Sequence, residues 1–206
     1  MAARRKTARS NQRHRTRQDL LNAAVRLLKQ GASPGMDDVA AEARVSRATA
    51  YRYFPSLDAL LVEAPLGIAV PSPEALFAGE HSTDPEQRID KAGMAMHEMV
   101  YGNETQLRRL LANSLQLAAG QRKGDAIPVR QNRRTPLIEA ALAPARGRLT
   151  KTAYDRLCAA LAVYMGPESM VVFRDVLQLD EAEARKVKSW AVRALVRAAL
   201  RESGRH

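Results

Sequence analysis

Apolar residues recur along this chain at helical spacings of three and four, segment after segment. Leu20, Leu21, Ala24, Val25, Leu27 and Leu28 make one face of a first helix over residues 16–30. Thr16 with Asp19 resembles a capping arrangement, and Gly31 suits the stop. Ser33-Pro34 offers a cap followed by proline at a first helical position. A short second helix over residues 36–43 turns Val39, Ala40 and Ala43 inward, and Arg44-Val45 is all that separates it from Ser46. Ser46 can cap a third helix in which Ala50 and Phe54 share the inner face at a spacing of four. Pro55 biases Phe54 away from helical geometry, and Ser56 can cap a fourth helix over residues 57–64, with Asp58 in its first turn.

Beyond it the pattern changes. Pro65, Pro71, Pro73 and Pro85 break residues 65–85 into a loop with one helical turn near residues 74–77. Stripes then return over residues 86–101, through Ile89, Ala92, Gly93, Met96 and Val100, and over residues 104–120, through Leu107, Leu110, Leu111, Ser114 and Leu115. Residues 121–134 are polar, basic and interrupted by Pro128, which reads as a loop. A helix from Arg133 or Pro136 ends near Pro144. Thr150 caps the next, with Tyr154, Leu157, Cys158, Leu161 and Met165 on one side, and Gly166-Pro167 kinks or restarts it. Asp180 caps the last helix, which carries Val187, Trp190, Ala191, Ala194, Leu195 and Ala198. The expected fold is all-α: an amino-terminal three-helix domain over residues 16–64 and a helical domain over residues 65–206, preceded by a basic disordered arm at residues 1–15.

Two short helices joined by so tight a turn, with a small residue at Ala40, make a helix-turn-helix whose second helix enters the major groove. Arg47 stands at the amino-terminal end of that helix and can bridge guanine O6 and N7. Arg52 can do the same or grip a phosphate. Ala48 lets the helix sit close and can touch a thymine methyl. Ser46 can reach a phosphate, although capping alone accounts for it. The tandem resembles the DNA-binding domain of the TetR family of transcriptional regulators, through Val39-Ala40, Ala43, Val45-Ser46, Thr49, Tyr51, Tyr53-Phe54-Pro55-Ser56 and Leu60-Leu61. The resemblance implies phosphate contacts for Thr49, Tyr51 and Tyr53; for the two tyrosines the plainer role is aromatic packing with an exposed hydroxyl. The family usually has glycine at Arg44, threonine at Gly35 and lysine at Leu57. A non-glycine residue at a left-handed turn position costs on the order of 1–2 kcal/mol, and leucine cannot make that lysine's phosphate contact.

Charge sharpens this picture. The formal net charge is +11 over 206 residues. Seven of the cations (Arg4, Arg5, Lys6, Arg9, Arg13, Arg15 and Arg17) fall within residues 1–17, which hold no acid. Such a block solvates poorly inside a core and suits phosphate or minor-groove contact beside the helix-turn-helix; a solubilising tail is the bland alternative. Cys158 is the only cysteine, which fits a reducing compartment and a core-filling role. No apolar stretch follows the basic start and none approaches a membrane span, so no membrane partner and a cytoplasmic location are expected.

For the second domain the resemblance implies a small-molecule effector and a homodimer. Methionines, His97 and tyrosines amid apolar stripes give candidate effector contacts at Met94, His97, Tyr101, Asn113, Gln116 and Tyr164, with Met96 beside them. The last two helices, through Leu157, Leu161, Val187, Trp190, Ala194 and Leu195, are the candidate dimer face, since a helix-turn-helix reader needs two half-sites. The partners expected are therefore a double-stranded operator, a second copy of the chain and an effector. The four histidines show no metal spacing, and no phosphate loop or nucleophile elbow appears, so no catalytic residue, metal or cofactor is assigned. Sequence-independent nucleic-acid binding is the rival, weakened by tyrosines that cluster in one helix instead of along a stacking surface; an enzyme is a distant third.

Overall fold

The computed structural model describes residues 2–120 and 132–203, and for residues 2–11, 14, 67–68 and 117–120 it describes the backbone alone. Its described elements are all helical. Helix α1 spans Ala2–Lys29 and does not begin at Thr16. No proline or glycine interrupts that stretch, and the Thr16 hydroxyl donates back to the Gln12 carbonyl at 3.1 Å, a mid-helix bond in place of the expected cap. The stop is as the sequence suggests: Gly31 turns left-handed at φ 76, and the Ala32 N–H reaches the Leu27 carbonyl at 3.2 Å.

Helix α2 spans Met36–Glu42 with Gly35 as its cap residue, so Ser33 and Pro34 lie ahead of the cap. Asp38 compensates for the missing side chain by accepting from the Gly35 N–H at 2.7 Å. After α2, Arg44 adopts φ 56. Its N–H meets the Ala41 carbonyl at 3.0 Å, and the Val45 N–H meets Ala40 at 2.9 Å. This is the paired closure of a Schellman motif, built on arginine where glycine would be unstrained. Helices α3 (Arg47–Tyr53) and α4 (Leu57–Glu63) start on Ser46 and Ser56, whose hydroxyls accept from the Thr49 N–H at 3.2 Å and the Ala59 N–H at 3.1 Å.

These four helices close on Leu20, Leu21, Val39, Ala50, Phe54 and Leu60, all buried. Leu57 packs half-buried against this cluster and adds apolar cover. Arg17 is buried too, paired with buried Glu63, and its guanidinium lies 4.1 Å from the centre of the Phe54 ring. The pair ties α1 to α4 at the end of α3.

Helix α5 (Leu66–Ala69) adds a turn where only loop was expected, and α6 (Pro73–Leu76) is the turn foreseen near residues 74–77, capped by Ser72. The long helices α7 (Pro85–Gly102) and α8 (Glu104–Gly120) follow. The loop expected at residues 121–134 lies largely outside the described residues. Helix α9 (Arg134–Leu142) runs into a 3-10 segment, Ala143–Arg148. Helix α10 (Lys151–Tyr164) is capped by Thr150, and Gly166-Pro167 restarts the chain as α11 (Pro167–Val171), which loosens into a π-turn at Val172–Val176. Helix α12 (Glu181–Ser203) opens on a reciprocal box in which Asp180 and Glu183 each accept the other's backbone N–H.

The chain divides into two compact units, residues 1–69 with 108–131 and residues 70–107 with 132–206. Within the second, α7 packs against α9 and α12, and α10 against α9 and α12. Arg88 is the polar tie: its guanidinium donates to the Ala140, Ala141 and Ser82 carbonyls at 2.9, 3.1 and 3.2 Å and stacks on Phe77. It satisfies carbonyls that the end of α9 leaves open.

Candidate functional site

Helix α3 divides by face. Ala50, Tyr53 and Phe54 are buried, whereas Ser46, Arg47, Ala48, Tyr51 and Arg52 are exposed and Thr49 is half-buried. Of the two roles open to it, Tyr53 takes up aromatic packing: its ring belongs to the core cluster, one helical turn from Ala50, whereas Tyr51 stands in solvent. Thr49 is also engaged, since the Ser46 hydroxyl that caps the helix donates to the Thr49 hydroxyl at 2.9 Å.

The exposed cations are held in place before any partner arrives. Arg47 pairs with Asp37 of α2 at 2.9 Å, both side chains mostly in solvent, and its guanidinium lies 5.5 Å from the Tyr51 ring centre. Arg52 lies 5.5 Å from that of Tyr53. An exposed pair of this kind contributes about 0–1 kcal/mol, so base or phosphate contacts can displace Asp37 readily. Asp37 was not anticipated as a site neighbour; the signal is its place in the first turn of α2, which the tight turn at Arg44 folds back beside the start of α3. The side chains of residues 2–11 and 14, on which contact by the basic arm depends, lie outside the described residues.

A second group of polar side chains gathers between α7 and α12. Met94, His97 and Tyr164 line a narrow cleft together with Arg185, Lys188 and Ser189. Tyr101 joins by stacking on His97 with ring centres 4.3 Å apart. Asn113 and Gln116 do not: both are exposed on α8 and neither lines the cleft. Met96 is buried core filling.

The cleft carries unmet polar demand. Both ring nitrogens of His97 and the Tyr101 hydroxyl are buried without a hydrogen-bond partner. Glu181 lies 3.7 Å from His97 Nε2, beyond hydrogen-bonding distance. Burial, with the charges of Lys188 and Arg185, lowers the His97 pKa to about 4, so the ring is neutral near pH 7. Lys188 is 7 % exposed and has no ion pair among the described residues, and burial lowers its pKa to about 8. Lys188 was legible but overlooked: it follows Ala184 by four residues and precedes Ala191 and Val192 by three and four, placing it on the buried stripe.

That stripe sorts the residues expected at the dimer face. The inward residues of α12 are Ala184, Lys188, Ala191, Val192, Val196 and Ala199, rotated from the stripe read in the sequence. Val187 and Trp190 face solvent, Trp190 at 73 % exposure, and Ala194 and Leu195 are half-buried. On α10, Leu157 and Leu161 are buried at 4 % and 0 % exposure. They are taken up by the packing of α10 on its neighbours; Val163, at 62 %, is the large exposed apolar residue of that helix.

Cys158 is half-buried, with its thiol pKa raised chiefly by burial, the opposite of an activated nucleophile. Among the described residues no three His, Cys, Asp or Glu side chains are placed to hold a metal ion, and no single helix is long and apolar enough to cross a membrane.

Residues 20–64 match the family model described as "Bacterial regulatory proteins, tetR family". The matched span runs from the first core leucine of α1 to the end of α4 and includes α2 and α3. No curated protein and no solved structure matches the chain.

Proposed function

On the premise that this chain belongs to the tetR family of bacterial regulatory proteins, through residues 20–64, we propose that it binds a palindromic operator as a homodimer, represses transcription there and is released by a small-molecule ligand. It is a DNA-binding transcriptional regulator. The finer reading rests above all on the division of α3, whose inner face of Ala50 and Phe54 is locked in the core while Arg47, Ala48, Tyr51 and Arg52 stand outward.

In this reading Arg47 donates to a guanine edge, Ala48 sits against a base, Ser46, Thr49 and Tyr51 bind phosphates, and Arg52 takes either a base or a phosphate. The Tyr53 ring, packed in the core, supports the helix from within. Residues 1–15 track the neighbouring backbone, and Arg44, exposed at the turn, adds charge where Leu57 supplies none.

Two half-sites require two heads. The exposed Val163, Val187 and Trp190, with Ala194 and Leu195, are the apolar surface proposed to pair two copies, leaving Leu157 and Leu161 to the monomer core. A ligand releases the operator only if it prefers one arrangement of the heads over the other. Repression in place of activation rests on the habit of the family.

The test is selection of genomic fragments on purified protein, followed by footprinting at moderate salt. An enriched, roughly palindromic site with half-sites about one helical turn apart supports the proposal. Binding without enrichment that fades uniformly as salt rises supports the rival, a basic protein that coats nucleic acid.

A further inference from the structure

Lys188 is the residue of the second unit that most needs an explanation. It lies on the inner stripe of α12 at 7 % exposure, without an ion pair among the described residues. Burial is the cause of its lowered pKa, and no acid offsets it. A buried ammonium without a counter-charge is strongly disfavoured unless something arrives to pair with it. Its neighbours are unmet as well. Both ring nitrogens of His97, at 2 % exposure, and the Tyr101 hydroxyl are buried without a hydrogen-bond partner. The His97 and Tyr101 rings are stacked, and the Lys188 Nζ lies 5.6 Å from the Tyr101 ring centre, so the three residues form one cluster.

The space they border is small. The cleft between α7 and α12 that is lined by His97, Lys188 and Ser189 encloses about 10 Å³, room for one water-sized group. That size excludes an organic ligand. The lining is rich in donors: the Lys188 ammonium, one N–H of the neutral His97 ring and the Ser189 hydroxyl. Arg185, also on the wall, is answered by Glu98 at 3.6 Å. Two acids stand near. Asp90 lines the cleft, half-buried, and makes no ion pair with Lys188. Glu181, mostly in solvent, comes within 3.7 Å of His97 Nε2 but does not line the cleft. A water molecule here would accept hydrogen bonds and still leave the Lys188 charge unanswered.

We propose that this cleft is a binding site for a single halide ion, chloride under ordinary conditions, held by Lys188 and His97 between α7 and α12. A chloride ion is only slightly larger than a water molecule, accepts from every donor of the lining and supplies the missing counter-charge. None of Val163, Val187, Trp190, Ala194 and Leu195 lines the cleft, so the ion leaves the surface proposed to pair two copies free. The inference is independent of the proposed function: the ion joins the two helices whether or not DNA binding responds to it.

The full-length protein, without DNA, is melted in sodium chloride and in sodium gluconate at equal ionic strength, and crystals grown without halide are soaked in sodium bromide. Gluconate is too large for the cleft. The melting temperature is expected to be higher in chloride, the gap widening toward about 3–5 °C for each tenfold rise in concentration as the site fills. Bromide is expected to give an anomalous-scattering peak in direct contact with the Lys188 Nζ. Lys188→Met is expected to close the gap between the salts while melting in gluconate no lower than wild type, because it removes an unpaired buried charge. Should that variant fail to fold, the bromide peak in wild-type crystals decides the matter alone. Equal melting in both salts, a gap that survives Lys188→Met, or a soaked crystal whose cleft holds water without anomalous signal overturns the proposal.

Discussion

Arg44 spends its backbone freedom where glycine would not, at φ 56 in the turn that aims α3. Its side chain is exposed, so the strain is not offset by packing. Arg44→Gly removes a left-handed conformation worth about 1–2 kcal/mol, partly offset by the greater freedom of glycine in the unfolded chain, so a net gain of up to about 1 kcal/mol is expected in urea unfolding. The same substitution should weaken DNA binding modestly if the exposed arginine faces phosphate. His97 makes a pH prediction of definite sign. Its folded pKa of about 4 lies below the unfolded value of 6.5, so the unfolded chain takes up a proton first as pH falls. Stability should therefore drop between pH 6.5 and 4, at up to about 1.4 kcal/mol per pH unit. His97→Phe should flatten that slope between pH 7 and 5, above the range where carboxylates such as Glu86 contribute; an unchanged slope would mean that His97 is not buried neutral. At this scale the sequence was a partial guide. The left-handed Arg44 follows from one position in a known turn, but the burial of Tyr53 depends on where Leu20, Leu21 and Leu60 meet it, which no local pattern states.

Element boundaries were legible wherever a side chain caps them. Ser46, Ser56, Thr150 and Asp180 each accept the backbone N–H expected of a cap. Ser46→Ala should cost about 1 kcal/mol of stability, seen as a lower urea midpoint with unchanged m-value, and should loosen Thr49 as well, because the same hydroxyl holds both. Arg88→Met keeps the apolar stem but leaves the Ala140 and Ala141 carbonyls unmet, a loss of about 2–3 kcal/mol by the same measurement. What the sequence concealed was phase. In α12 the apolar positions from Val187 to Ala198 do not say which side faces the monomer core; small residues at Ala184, Ala191 and Ala199 take the inner face, where α7 approaches closely enough that Gly93 lies against Val192. The start of α1 was missed for a simpler reason: a run of arginines says nothing of helix ends when no proline, glycine or cap marks one.

At the scale of the molecule, two expectations separate cleanly. The reading head is a self-contained pattern of caps, core and exposed cations, and the family match covers that part of the chain. The second unit has no such signature, and its roles emerge from what it leaves exposed or unpaired. Trp190→Glu should convert a dimer into a monomer in sedimentation, with operator affinity falling at least tenfold while the melting temperature changes little, since the side chain is 73 % exposed already. A dimer that persists would move the interface elsewhere, with Val163 and Val176 the next exposed candidates.

In the proposed function Arg47 reads sequence from α3, which packs on the head through Ala50 and Phe54. That role is tested most directly by measuring, at one fixed salt concentration, the affinity of wild type and Arg47→Ala for the footprinted site and for a scrambled duplex. Wild type should prefer its site by roughly a thousandfold or more. Arg47→Ala should lower affinity for the site by about 1–3 kcal/mol and relax the preference at one base pair. A wild-type preference near unity, or equal weakening by Arg47→Ala on both duplexes, would contradict the account.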